Sequence, residues 1–215
     1  MKRIRIVAGE GFIAGMSQVP WQSRSSGTQS GLVVQASAAS LAELSGRSPA
    51  SLFDQILHLD EALGSRSHDL GKAILQARTS HARFDVMDAF LRDAGLSEVD
   101  PSMSRAATIL REAPQSQITE VAQELGLDRR DFARRFYRTH GVSPRLFRRL
   151  ARFEAFAETL HRSSGPSIAG TALEAGYFDQ AHLNRETVNL TGLTPAELRA
   201  KRLPNKGGYR DSFGP

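Results

Sequence analysis

The feature that most constrains this 215-residue chain is an internal repeat in its C-terminal half. Ile118 to Thr139 reads ITEVAQELGLDRRDFARRFYRT, and Ile168 to Thr191 reads IAGTALEAGYFDQAHLNRETVNLT. Ala172 and Gly176 repeat Ala122 and Gly126 at an offset of 50. After one added residue in the turn, Leu183, Arg185, Gly192 and Pro195 repeat Phe132, Arg134, Gly141 and Pro144 at an offset of 51. Each copy has the pattern of two short helices around a glycine turn. In the first, Gly126 suits the left-handed residue that ends a helix. Asp128 is placed to cap the next helix, with Asp131 three residues on as an acidic variant of the capping box.

Ile118, Val121, Ala122, Leu125, Leu127, Phe132 and Phe136 form one apolar face, which holds the two helices at the angle of a helix-turn-helix. The opposite face of the second helix displays Arg130, Ala133, Arg134 and Tyr137. These are guanidinium groups beside one small residue, on a rod that fits a major groove. One glycine between two short helices is common in globular proteins, but a second copy at fixed offset marks a repeated DNA-reading unit. Between the copies, Ser143 to His161 supplies about 19 helical residues, roughly 28 Å at about 1.5 Å each. Leu146, Phe147, Leu150, Phe153 and Leu160 are its apolar positions. Two recognition helices held near one DNA turn apart, about 34 Å, would enter successive major grooves from one side.

Charge follows the repeat. Lys plus Arg against Asp plus Glu stands at 10 to 11 over residues 1–104, 16 to 11 over 105–203 and 2 to 1 over 204–215. Arg129, Arg130, Arg134, Arg135, Arg138, Arg145, Arg148, Arg149 and Arg152 are opposed only by Asp131, a concentration that suits a polyanion rather than an ordinary solvated face. The chain has no cysteine, which excludes disulfides, thiolate metal sites and thiolate nucleophiles. His58, His68 and His81 have no ligand-like spacing, so no metal and no cofactor is expected. Ser, His and Asp residues form no nucleophile elbow, so catalysis is not expected either. Lys2, Arg3 and Arg5 precede an apolar stretch in the manner of a leader, but Glu10 and glycines interrupt it. The sequence therefore reads as cytoplasmic.

The first 36 residues, with short apolar runs at Arg3–Val7, Gly11–Met16 and Gly31–Gln35, predict three or four short strands. Gly9-Glu10-Gly11 and Gly15 are turn glycines rather than a nucleotide fingerprint, since the spacing is wrong and no helix follows. Phe12 and Trp21 read as core aromatics ahead of pocket residues. From Ala38, the pairs Leu41/Leu44, Leu52/Ile56, Leu70/Ile74/Leu75 and Phe84/Met87/Phe90/Leu91 recur at helical spacing, broken at Gly46–Pro49 and Gly64–Arg66. A loop from Gly95 to Pro101 closes a small α+β domain over 1–100. Helices are then predicted near 102–112, 118–125, 129–139, 144–161, 167–175 and 179–190, with Ser143-Pro144 and Thr194-Pro195 as cap and first-residue pairs. The fold class is mainly α: a DNA-binding domain over 101–203 with units at about 118–139 and 167–190, a linker helix over about 143–161, and a disordered tail over 204–215.

Ala175-Gly-Tyr-Phe-Asp-Gln-Ala-His-Leu-Asn-Arg, followed by Thr191-Gly-Leu-Thr-Pro195, is a long ordered signature, and residues of about 105–203 resemble the DNA-binding domain of AraC/XylS transcription regulators. The resemblance implies promoter binding with base contacts from Arg130, Ala133 and Arg134 in the first recognition helix and from Gln180, Ala181, Asn184 and Arg185 in the second. Arg suits guanine edges, and Gln180 and Asn184 suit adenine. Arg129, Arg135, Arg138, Arg145, Arg149 and His182 are assigned to phosphates, which position without specifying. His140 lies beside the same face. Double-stranded DNA is the partner so implied, with RNA polymerase, a second copy of the chain and a small-molecule effector as further partners of such regulators.

The second unit departs from the family pattern. Thr187 and Val188 stand where an aromatic core residue and a basic neighbour are usual, and Phe178 stands at the expected polar cap position. In the N-terminal half, Gly11–Gly15, Gly27–Gln35, Leu44–Gly46 and Leu57–Gly64 resemble the last strands and following helices of a cupin-like sensor domain, shortened so that an edge is exposed and no pocket is enclosed. Two alternatives accompany the regulator reading. A fusion to alkyl-transfer DNA repair needs a thiolate acceptor, which this chain lacks. A degenerate DNA-binding module without regulatory output would act by occupancy or by pairing with a partner.

Overall fold

The computed structural model describes residues 6–18, 31–162 and 168–200. The described residues cluster into two compact units, one drawn from 6–17, 31–100 and 138–141, the other mainly from 101–137, 142–162 and 168–200. The architecture is mainly α, with one small sheet. The N-terminal residues Arg3, Ile4 and Arg5, Trp21, the stretch up to Ser30 and the tail from Pro204 lie outside the described residues.

In the first unit β1 (Phe12–Ala14) pairs antiparallel with β2 (Ile56–His58), Ile13 opposite Leu57. Strand alternation turns these two side chains inward, where both are buried, and leaves Phe12 exposed rather than in a core. Helix α1 (Ala38–Ser45) starts where the Ser37 hydroxyl accepts the Ser40 N–H at 2.9 Å, and it ends at Gly46. Ala42, Leu52 and Leu57 form a small core. Helices α2 (Leu59–Leu63), α3 (Ser65–Gln76) and α4 (Ser80–Asp93) follow.

Two further sequence expectations fail in this unit. Gly31–Gln35 is irregular backbone rather than a strand. Leu52 and Ile56 do not share a helix: Leu52 closes a 3-10 turn over Pro49–Leu52, and Ile56 opens β2. Asp54, at a left-handed φ of 54°, turns the chain between them, so a four-residue apolar spacing imitates a helix across a break.

The second unit contains α5 (Pro101–Glu112), α6 (Ile118–Glu124), most of α7 (Arg129–His140), α8 (Pro144–Arg162), α9 (Ile168–Glu174), α10 (Gln180–Thr191) and α11 (Pro195–Ala200). Ser143 and Thr194 precede proline at the first helical position, as predicted. Ser143 Oγ accepts the Leu146 N–H at 3.2 Å, while Thr194 donates its N–H to Glu197 Oε2 at 2.8 Å and accepts the Glu197 N–H at 3.3 Å. The long helix α8 serves two cores. At its start Phe147 meets Phe136 edge-on with centroids 5.3 Å apart, and Phe136 leans on Phe132 at 5.6 Å. Towards its end Phe156 and Leu160 pack with Ala172, Ala175, Tyr177 and Leu183.

Thr187 is fully buried, and among the described residues its hydroxyl has no hydrogen-bond partner. A buried hydroxyl without a partner forfeits its hydration. Thr187→Val, which keeps the shape and removes the polar atom, is therefore expected to raise stability by about 1 kcal/mol. A urea midpoint that falls instead would show that the hydroxyl is satisfied in solution.

Candidate nucleic-acid interface

The site is built from two copies of one local device. After α6 the Leu127 N–H reaches back to Ala122 O at 2.9 Å and the Gly126 N–H to Gln123 O at 2.9 Å, with Gly126 at φ 67°. After α9 the Tyr177 N–H reaches Ala172 O at 2.9 Å and the Gly176 N–H reaches Leu173 O at 3.0 Å, with Gly176 at φ 80°. Both are Schellman turns, which require a left-handed residue and so favour glycine. Every bond of the first recurs in the second at an offset of 50.

The next helix is capped by aspartate in each copy. Asp128 Oδ1 accepts the Arg130 and Asp131 N–H groups at 2.8 and 2.9 Å, and Asp179 Oδ1 accepts the His182 N–H at 2.6 Å. Asp179 is Asp128 displaced by 51. Phe178 is therefore not at the cap position: it is the residue before the cap, 89% exposed, and the cap of α10 is intact. The residue added to the second turn falls just ahead of the aspartate, which is why the expected register was off by one.

Asp128 also carries a pH signature. Its bonds from the Asp131 and Arg130 amides hold its carboxyl below the ordinary 3.8. A depressed folded-state pKa contributes stability above the ordinary carboxylate range, and that contribution is lost as pH falls through the depressed value. Melting Asp128→Ala beside the parent across acid pH is expected to show a less stable variant near neutrality and convergence at the acid end. Parallel curves would contradict the capping role.

The outward faces carry the residues assigned to DNA. On α7, Arg129, Arg130, Arg134, Tyr137 and Arg138 are exposed and Ala133 and Arg135 are half-buried. Arg134 is held by Asp131 through an ion pair of 2.7 Å at the surface. On α10, Gln180, Ala181, Asn184, Arg185 and Val188 are exposed and His182 is half-buried. Arg145 at the start of α8 is exposed. Arg148 is turned inward to the Ser116 carbonyl at 2.8 Å, and burial, with Arg152 and Arg145 nearby, lowers its pKa.

Arg149 and His182, both assigned to phosphates, lie beside Glu186. Arg149 Nε lies 3.2 Å and His182 Nε2 3.6 Å from Glu186 Oε2. His140, expected beside the DNA face, is buried. Glu186 itself was not singled out by sequence reasoning, since a charged residue on an amphipathic helix reads as solvated; it is only 6% exposed.

In the first unit Gly9, Glu10, Gly11, His58, Leu59, Asp60, Gly64, Ser67 and His68 line a cleft of about 230 Å³. His81 is at the surface, 3.8 Å from Asp85. No helix among the described residues is long and apolar enough to cross a membrane.

Paired glycine turns, aspartate caps and outward polar faces define a helix-turn-helix protein. A family model described as a helix-turn-helix domain matches residues 103–201, and that segment is an AraC-type helix-turn-helix domain. The chain accordingly carries a DNA-binding helix-turn-helix domain over those residues. No curated protein matches it. Among solved structures, the C-terminal domain of AraT, a response regulator from Geobacillus stearothermophilus, aligns with 22% identity and a TM-score of 0.47, covering 54% of this chain and 97% of that one.

Proposed function

We propose that the chain binds promoter DNA sequence-specifically by placing α7 and α10 in successive major grooves. The observation that carries this is the recurrence of the whole device, Schellman turn, aspartate cap and exposed polar face, at both ends of one 19-residue helix. In this reading Arg130, Ala133 and Arg134 meet bases at one subsite, and Gln180, Ala181, Asn184 and Arg185 meet bases at the other. Arg129, Arg135, Arg138 and Arg145 meet phosphates. The domain that does this spans 101–203, residues 1–100 form a separate domain, and the protein works in the cytoplasm without catalysis.

Selection of bound sequences from a random duplex library tests the reading. Enrichment of two short subsites about one helical turn, roughly 34 Å, apart is the expected result. A single subsite would show that α10 does not read, and no enrichment would refute specificity altogether.

Thr187 and Val188 favour a second reading, a module that occupies DNA without regulatory output. A promoter-reporter assay separates the two. Altered transcription supports the regulator, with RNA polymerase, an effector or self-association as its further partners, whereas occupancy without altered transcription supports the passive module.

A further inference from the structure

The two helices assigned to base reading are fastened to α8 by different chemistry. Helix α7 uses rings: Phe136 is fully buried, with Phe147 of α8 at 5.3 Å. At the matching place in α10, 51 residues on, stands Thr187, which has no ring to offer. Its neighbour Glu186 stands where α7 has Arg135, so the charge at that position is reversed.

Around Glu186 the structure assembles a buried ionic cluster. Its carboxylate accepts Arg149 Nε at 3.2 Å, Arg152 Nη2 at 3.4 Å on both oxygens, and the Tyr177 hydroxyl at 3.0 Å. The Arg152 guanidinium also lies over the Tyr177 ring, 4.8 Å from its centre. Burial, and then the neighbouring Glu186 charge, push the Tyr177 hydroxyl pKa up, so it stays a proton donor to that carboxylate. Both arginines belong to α8, and the carboxylate belongs to α10.

Building on the reading that α10 contacts bases, we infer that Glu186 is the positioning residue of that helix, an ionic clamp that replaces the aromatic contact found under α7. Charge-assisted bonds to guanidinium groups are directional. They fix the rotation of α10 about its own axis, and with it the aim of Asn184 and Arg185, which immediately precede Glu186. A buried carboxylate keeps its charge only with such partners, so the clamp depends on charge and not on volume. Arg149 and His182 are then part of the clamp and not phosphate contacts.

The test uses the full chain and a duplex that carries both selected subsites, with each subsite scrambled in turn. Glu186→Gln keeps the shape and a hydrogen-bond acceptor for Tyr177 but removes the charge. Discrimination at the α10 subsite is expected to fall about tenfold or more, while that at the α7 subsite is retained. Arg149→Gln, at a side chain already one-third exposed, is expected to give the same selective loss without changing the salt slope. This variant decides the matter if the first fails to fold.

Two results would overturn the clamp. One is α10-subsite discrimination preserved in both variants. The other is tighter binding of Glu186→Gln to all duplexes, which would mean that Glu186 merely withholds arginines from phosphates. A parent protein that protects no second subsite would sink the two-subsite reading, and the clamp with it; a parent that protects both beside unaffected variants would sink the clamp alone.

Discussion

Phe136→Ala is expected to cost about 3–5 kcal/mol of folding stability, the range for removing a buried aromatic. The ring is fully buried and sits between Phe132 at 5.6 Å and Phe147 at 5.3 Å, joining α7 to α8. Alanine leaves a cavity that neither neighbour fills without leaving its own packing position. Because Arg134 projects from the same helix two residues earlier, base discrimination at the α7 subsite should fall along with stability. Urea unfolding followed by helix signal measures the first effect, and a cost below about 1 kcal/mol would show that α7 is not fastened through this ring.

Arg134→Ala is expected to leave the fold intact and to remove about 1–3 kcal/mol of discrimination at one base pair. The side chain is 68% exposed, and its ion pair with Asp131 is a surface one, so little stability rests on it. What the pair does is restrain a flexible guanidinium on the outward face of α7. Arg145→Ala is the control: as a phosphate contact it should weaken binding to every sequence alike and reduce the salt slope by about one. Equal losses on specific and random duplex for Arg134→Ala would remove it from the base-reading set.

Much of the second unit was legible because the signals are local. Gly126 and Gly176, the prolines at 144 and 195 and the Asp128 cap each act within one turn, and the predicted helices lie within about two residues of α5 to α10. The Asp179 cap was missed because the added residue of the second turn could be placed before or after it by spacing alone, and only the backbone bond to His182 fixes the choice.

The less legible parts depend on distant residues. Strand β2 exists because Ile56–His58 meets β1 more than forty positions earlier, while its own spacing imitates a helix. The Glu186 cluster joins side chains 34 and 37 positions apart, so nothing near Glu186 announces a buried carboxylate. In the same way, the arginine run read as one basic surface, yet Arg148 and Arg149 are taken up by Ser116 and Glu186. A count of charges does not reveal which of them packing will consume.

The central claim, that α7 and α10 read sequence rather than merely bind a polyanion, is tested most directly by competition. The selected duplex is titrated against its scrambled counterpart at several salt concentrations, and the ratio of the two affinities is followed. Counterion release weakens both with salt, but a ratio of about a thousandfold or more, carried by base contacts, should persist as salt rises. A ratio near one at every salt concentration would reduce the chain to a non-specific DNA binder and contradict the account.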